Sequence, residues 1–214
     1  MSYQKLNQEN AFIWRIVHRA NLPWILENGL HAANSPTKSA NYVAIGNRDL
    51  IIRRAGRNVP TGRQGTLDDY IPFYFTPFSP MMYNIHTGRG GVAHVANEDI
   101  CILVSGLHRV VELGLPFVFT DRHAYTQLAQ YFDNLAGLSQ IDWALLQARN
   151  FKRNPDDPEQ IERYQAEALI HWHLPIEALL GVVCYNDKIK TMIAQHANQL
   201  GVNIDIKAIP GWYF

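Results

Sequence analysis

Two cysteines in 214 residues are too few for a disulfide framework. Cys101 and Cys184 lie far apart in the chain, each inside an apolar run (Ile100-Cys101-Ile102-Leu103-Val104 and Val182-Val183-Cys184-Tyr185), and read as buried free thiols. Neither a disulfide nor a cysteine zinc site follows from them. An excess of charge is also lacking: 19 Lys and Arg balance 19 Asp and Glu, which excludes a global attraction to nucleic acid. No apolar run approaches the roughly 18 residues that span a bilayer. The stretch from Met1 to Asn10 is polar and has no secretion-signal core. A soluble, cytoplasmic chain with no membrane association is the expectation. Repeats and low-complexity tracts are absent as well.

What is present is the composition of a folded protein, 47% hydrophobic and 18% charged, at a length that one domain accommodates. Residues 1–214 are therefore expected to form a single domain. Ala11 to Val17 is aromatic and β-branched and reads as a strand. Asn21 as N-cap, Pro23 in the first turn and Gly29 as stop frame a short helix. Ala32 to Gly65 is glycine-punctuated loop with a helical turn around Asp49 to Ala55. Ile71 to Pro77 is a strand whose bracketing prolines suggest an edge or a strand end. Ser79 to Gly91 leads into a flexible loop ending Gly88-Arg89-Gly90-Gly91, which lacks the Gly-Lys-Ser/Thr of a phosphate-binding loop. Ile100 to Val104 and Phe117 to Thr120 are further strands, with a turn near Gly114 to Pro116 between them. Helices are expected over Arg122 to Asp133 and from Ile141 to Gln147, and no strand in the proline-broken segment Lys152 to Glu162. A strand from Leu179 to Tyr185, a helix from Asp187 to Leu200 and a strand from Val202 to Ile209 complete the chain. Short strands and short helices without a regular βαβ rhythm indicate the α+β class.

Three features bear on chemistry. Glu167 is a carboxylate at the point where a charged segment gives way to apolar residues, a position open to catalysis or to a salt bridge. Arg48, Arg53, Arg54, Arg57 and Arg63 form a basic stretch against only Asp49, suited to a phosphate-bearing ligand or to a solvated loop. Nine histidines raise the question of a metal. His171-Trp172-His173 would share a strand face, and His86, His94 or His123 would be needed to join them. No His-Glu-x-x-His motif or acidic ligand loop accompanies them, so no metal is expected.

Five blocks, taken together and in order, resemble the DarT family of DNA ADP-ribosyltransferase toxins. They are Ile13-Trp14-Arg15-Ile16-Val17-His18 with Asn21-Leu22, then Leu67 to Met81 around Tyr70-Ile71-Pro72-Phe73-Tyr74-Phe75, then Leu115 to His123, then Gln165-Ala166-Glu167, and last Gly211-Trp212-Tyr213. The resemblance implies an ADP-ribosyltransferase-like fold with a central split, mostly antiparallel sheet flanked by short helices. It implies NAD as ADP-ribose donor and a thymine base of single-stranded DNA as acceptor, with nicotinamide released and DNA replication blocked. A macrodomain antitoxin, DarG, is the implied partner, and a monomer the expected state. By resemblance the catalytic residues are Glu167 and Arg54, and the NAD-binding residues are Arg15, Ile16, Val17, Trp24, Ala32 and Arg54. Relatives can carry His where Arg15 stands, which a backbone contact tolerates and an imidazole role does not. Tyr74, Arg89, His123 and Arg153 are the expected DNA contacts, whereas Phe73 and Phe75 are expected in the core. The chemistry agrees in part. Cleaving the bond to nicotinamide develops positive charge on ribose, which a carboxylate stabilises. A guanidinium, with a pKa above roughly 12, is suited to holding phosphates or a thymine anion rather than to accepting a proton. The alternatives are an ADP-ribosyltransferase acting on RNA or protein, or an inactive module that binds nucleic acid or antitoxin.

Overall fold

The computed structural model describes residues 3–214. Ten strands, β1 (Phe12–His18), β2 (Leu30–His31), β3 (Tyr70–Tyr74), β4 (Ile100–Gly106), β5 (Phe117–Thr120), β6 (Tyr131–Phe132), β7 (Glu167–His171), β8 (His173–Leu174), β9 (Gly181–Cys184) and β10 (Asp205–Ala208), are interleaved with seven α-helices. The helices are α1 (Leu22–Asn28), α2 (Arg48–Ala55), α3 (Pro80–Thr87), α4 (Leu107–Glu112), α5 (Trp143–Ala148), α6 (Gln160–Arg163) and α7 (Asp187–Gln199). Eight strands form one sheet in the order β10-β9-β4-β1-β3-β7-β5-β6, antiparallel throughout except for β9 and β10, and β2 pairs with β8 in a separate two-stranded sheet. This is the expected α+β architecture. β4, the all-buried run Ile-Cys-Ile-Leu-Val-Ser-Gly, lies in the interior of the sheet, as an unbroken apolar strand should. Both thiols are free and buried, and burial pushes Cys101 up to about 12. Among the described residues no helix is long and apolar enough to cross a membrane.

The sheet is split. β1 and β4 pair along seven residues, and β3 and β7 along five, but β1 meets β3 at one pair alone, Trp14 opposite Tyr74. Beyond it the strands part, and Arg15 reaches across the gap to donate from Nη1 to the Pro72 carbonyl at 2.8 Å. A strand residue's N–H and C=O point to the same side. The donor that proline lacks would thus have faced the same gap. The prolines suggested an edge or a strand end; β3 is interior and ends at Tyr74, ahead of Pro77, and Pro72 faces the one stretch where β3 has no neighbour to bond.

Two other expectations gain a helix, and two are corrected. Ser79 to Gly91, expected to lead into a loop, first forms a helix: the Ser79 side chain accepts from Met82 N–H, Pro80 occupies the first turn, and Gly88 at φ 69° ends α3. A helix, α4, precedes the turn near Gly114. Arg122 to Asp133 is not helical, because Asp121 closes it into a loop: Asp121 N–H donates to the Gln130 carbonyl, Gln130 N–H to Asp121 Oδ1, and Tyr131 O–H to the Ala124 carbonyl. Local helix propensity loses there to hydrogen bonds made at a distance. Finally, Asn21 does not cap α1 with its side chain; its amide brackets Val43 instead, donating to the Val43 carbonyl and accepting from Val43 N–H, both at 2.8 Å.

Gly29 ends α1 at φ 75°, and a Cβ there would stand 2.5 Å from the Leu174 carbonyl oxygen. Both conformation and space require glycine, since this backbone region strains any side chain. Gly29→Ala is expected to destabilise by about 1–3 kcal/mol, read as a lower urea midpoint at unchanged slope.

Candidate active site

A cavity of about 390 Å³ opens where the sheet splits. Its walls come from β1 (Arg15, Ile16), α1 (Trp24, Ile25), the segment from Leu30 to α2, and β3 (Tyr70, Ile71, Pro72, Tyr74). Glu167 opens β7 in register with Tyr74, itself the residue that joins the two halves of the sheet. The glutamate therefore sits at the apex of the split, 2% exposed. A buried carboxylate needs partners. Arg54 Nη1 donates to Oε1 at 2.8 Å and Nη2 to Oε2 at 2.7 Å, a two-pronged ion pair, and Ala124 N–H donates to Oε1 at 3.0 Å. The Thr120 hydroxyl lies 3.3 Å from Glu167 N and accepts from it.

These contacts set the charges. Burial acts to raise the Glu167 pKa, but Arg54, with His123 and the Ala124 N–H, outweighs it and holds the carboxyl below its ordinary value. Burial likewise disfavours the Arg54 charge, and Glu167 more than reverses this, so Arg54 holds its proton more tightly than a free arginine. His123 Nδ1 is 3.5 Å from Glu167 Oε1 and accepts from Tyr125 N–H at 3.1 Å. Burial lowers its pKa against the pull of Glu167, which favours the neutral ring; with Nδ1 accepting from Tyr125, a neutral ring carries its proton on Nε2. Burial also raises the Tyr74 phenol, and Glu167 adds to the effect.

Of the residues singled out in the sequence, Arg15, Ile16, Trp24, Ala32, Arg54, Tyr74, His123 and Glu167 all line this one cavity. Val17 is buried behind the wall, its backbone paired with Cys101. Arg89, on the turn after α3, and Arg153, before α6, are exposed and lie outside the lining. His171 and His173 do not share a strand face: Trp172, at φ 59°, turns the chain between them, so His171 packs on Tyr70 and His173 on His31. Unforeseen in the sequence were Asp68, Ala124 and the Lys38 to Ile45 stretch. For Ala124 the signal was available, since it directly follows the Leu115 to His123 block, but a backbone donor leaves no mark on residue type.

An acid fixed by a fork of arginine at the floor of an apolar, cation-lined cleft, in a split α+β sheet, is the layout of an enzyme that acts on a nucleotide-linked ribose. Solved structures share the fold. The chain superposes on Thermus sp. 2.9 DarT in complex with ADP-ribosylated ssDNA with a TM-score of 0.87 at 32% identity, over 96% of this chain and 97% of that one. The same protein in complex with NAD+ gives a TM-score of 0.82 at 33% identity, over 96% and 98%. A "DNA ADP-ribosyl transferase" of Escherichia coli O127:H6 (strain E2348/69 / EPEC) is 54% identical over 209 residues, 98% of this chain and 96% of that protein. The family model described as "ssDNA thymidine ADP-ribosyltransferase, DarT" matches residues 14–214, and the chain belongs to that family. It is an NAD-dependent DNA ADP-ribosyltransferase with thymidine in single-stranded DNA as acceptor.

Removing one member of a buried ion pair strands the other's charge. Arg54→Ala is expected to destabilise by about 3 kcal/mol at neutral pH, and Glu167→Gln in the same background to recover part of that loss. Because the folded pKa of Glu167 is depressed, its contribution is complete above about pH 4.3, the unfolded value, and is lost as pH falls through the folded pKa. Thermal midpoints of wild type and Glu167→Gln measured against pH should therefore converge on the acid side.

Proposed function

We propose that Glu167 and Arg54 carry the family's reaction in this chain, and that the cavity they floor holds the NAD. Its size is that of a small-molecule site. Its walls suit the group: apolar and aromatic faces for the rings, and three cations, Arg15, Lys38 and Arg54, against two carboxylates for the pyrophosphate. When bound there, NAD supplies an activated ribose whose bond to nicotinamide breaks in the transfer.

The observation that carries this reading is the Arg54–Glu167 fork at the apex of the split. Glu167 is ionised, fixed by its strand and by the Ala124 N–H, and surrounded by low-dielectric walls, so it stabilises positive charge on ribose with little reorganisation. Arg54 keeps its proton, which supports electrostatic work on a phosphate or on a thymine anion and speaks against a base. His123, neutral and with Nδ1 engaged, offers an Nε2–H to an acceptor base. Tyr74 offers an aromatic face beside it. Arg89 and Arg153 are free of the cavity and so are assigned to DNA phosphates along the strand. Residues 1–214 act as one catalytic domain, since a single sheet draws strands from Phe12 to Ala208. The reaction takes place in the cytoplasm, where it blocks replication unless the macrodomain antitoxin DarG opposes it.

Incubation with NAD and a thymine-containing single strand is expected to add the mass of one ADP-ribose to the DNA. Glu167→Gln should lower the rate by at least about a hundredfold, and a strand without thymine should remain unmodified. Equal labelling of both strands, or full activity in the variant, would overturn the assignment.

A further inference from the structure

Three donors already engage the Glu167 carboxylate, out of the roughly four acceptor positions that such a group has. Oε1 accepts from Arg54 Nη1 and from Ala124 N–H, and Oε2 accepts from Arg54 Nη2. One further hydroxyl fits on Oε2, but to take both hydroxyls of a ribose the carboxylate has to release at least one prong of the fork. The guanidinium it releases is 14% exposed, and a buried cation deprived of its carboxylate is costly. A second carboxylate on the wall of the same cavity would offset that cost.

The cavity lining holds two acids, Glu167 and Asp68. Asp68 lies on the one-turn 3-10 helix Leu67–Asp69, which follows α2 closely. Leu67 N–H donates to the Arg57 carbonyl and Arg57 N–H to the Arg54 carbonyl, so backbone bonds tie this turn to the end of the helix that carries Arg54. Its neighbour Asp69 is fully committed: Oδ2 accepts from Thr66 N–H and Oγ1, and Oδ1 from Asn34 Nδ2. Leu67 is buried among Val59, Tyr70 and Val118 and anchors the turn. Asp68 is what remains, held on a rigid turn, half-buried in the cavity wall, its carboxylate without a hydrogen bond among the described residues. Burial raises its pKa, and the charges acting on it are those of Arg54, which favours its ionised form, and Asp69, which opposes it.

We propose that Asp68 is a positioning residue: it receives the Arg54 guanidinium when Glu167 turns to the ribose, so that the arginine stays paired and in place while the glutamate works. The proposal rests on the roles given to Glu167 and Arg54 above. It makes α2 and the Leu67–Asp69 turn a unit, with Arg54 passing between two carboxylates of different task. One acid acts on the substrate, and the other acts through the arginine.

The test uses Asp68→Asn, which removes the charge at nearly constant size and leaves the Asp69 bonds intact, and Asp68→Glu, which restores the charge. With NAD and a thymine-containing strand, Asp68→Asn is expected to lower kcat by about ten- to a hundredfold. KM for NAD should stay within about twofold, and Asp68→Glu should regain most of the lost rate. A kcat for Asp68→Asn within about twofold of wild type, an equal loss in both variants, or a raised KM at constant kcat would overturn the proposal. A second measurement does not depend on turnover. In a crystal structure of Glu167→Gln the Arg54 guanidinium should lie within hydrogen-bond distance of the Asp68 carboxylate, and a guanidinium left in its original place or turned to solvent would overturn it. A wild-type protein that leaves thymine unmodified would sink the assigned roles of Glu167 and Arg54 instead, and the Glu167→Gln structure would still judge Asp68.

Discussion

The fork between Arg54 and Glu167 is the interaction on which the rest of the site depends. α2 buries none of its eight residues, and a helix so short has little stability of its own. Three things hold it: the Asn47 side chain capping Leu50 N–H, the backbone ties from Arg57 to Leu67, and Arg54 reaching into the core to the first residue of β7. The last of these connects the helix to β7. The pair is an expensive device. Two charges are taken out of water, and a hydrophobic pair of like volume often stabilises as well or better. Under the roles proposed for the pair its presence makes sense, because the same burial that costs stability gives each charge its reach in a low-dielectric cleft.

That cleft exists because a sheet that is otherwise well knit is left open along one seam. On one side β10, β9, β4 and β1 form a continuous ladder; on the other β3, β7, β5 and β6 do the same. The two are joined at Trp14 and Tyr74, and the row Trp14, Tyr74, Glu167 runs straight from the seam to the acid. Backbone groups that would have bonded across the seam are free to face a ligand. Arg15 satisfies the Pro72 carbonyl, and its position on the cavity wall follows from the same gap.

Most of the strands were legible in the sequence because β-branched and aromatic runs stand out against glycine and proline, as at Phe12–His18, Ile100–Gly106 and Gly181–Cys184. The pair proposed to carry the reaction was not legible from residue pattern. Glu167 alone is one acid among 19, Arg54 is one of several arginines in a basic stretch, and 113 positions separate them. It was the family resemblance that linked them. Where local reading failed, distant hydrogen bonds had decided the outcome: Asp121 with Gln130 dissolved the expected helix, and Val43 drew Asn21 away from its cap. The helix Pro80–Thr87 is the opposite case. Its cap, proline and terminal glycine were all present locally, and the glycines that follow obscured them.

Pro72 places this chain in a conflict between endurance and work. Almost any other residue there would bring an N–H to the seam, and with it a means for β1 and β3 to zip further toward each other. Substitutions selected only for a firmer sheet would thus tend to close the cleft from its apex outward. A lineage of this enzyme can gain robustness in β4, β9 or α7 at little expense to its chemistry, but along the seam the two demands are met by the same atoms, and a missing hydrogen keeps them apart.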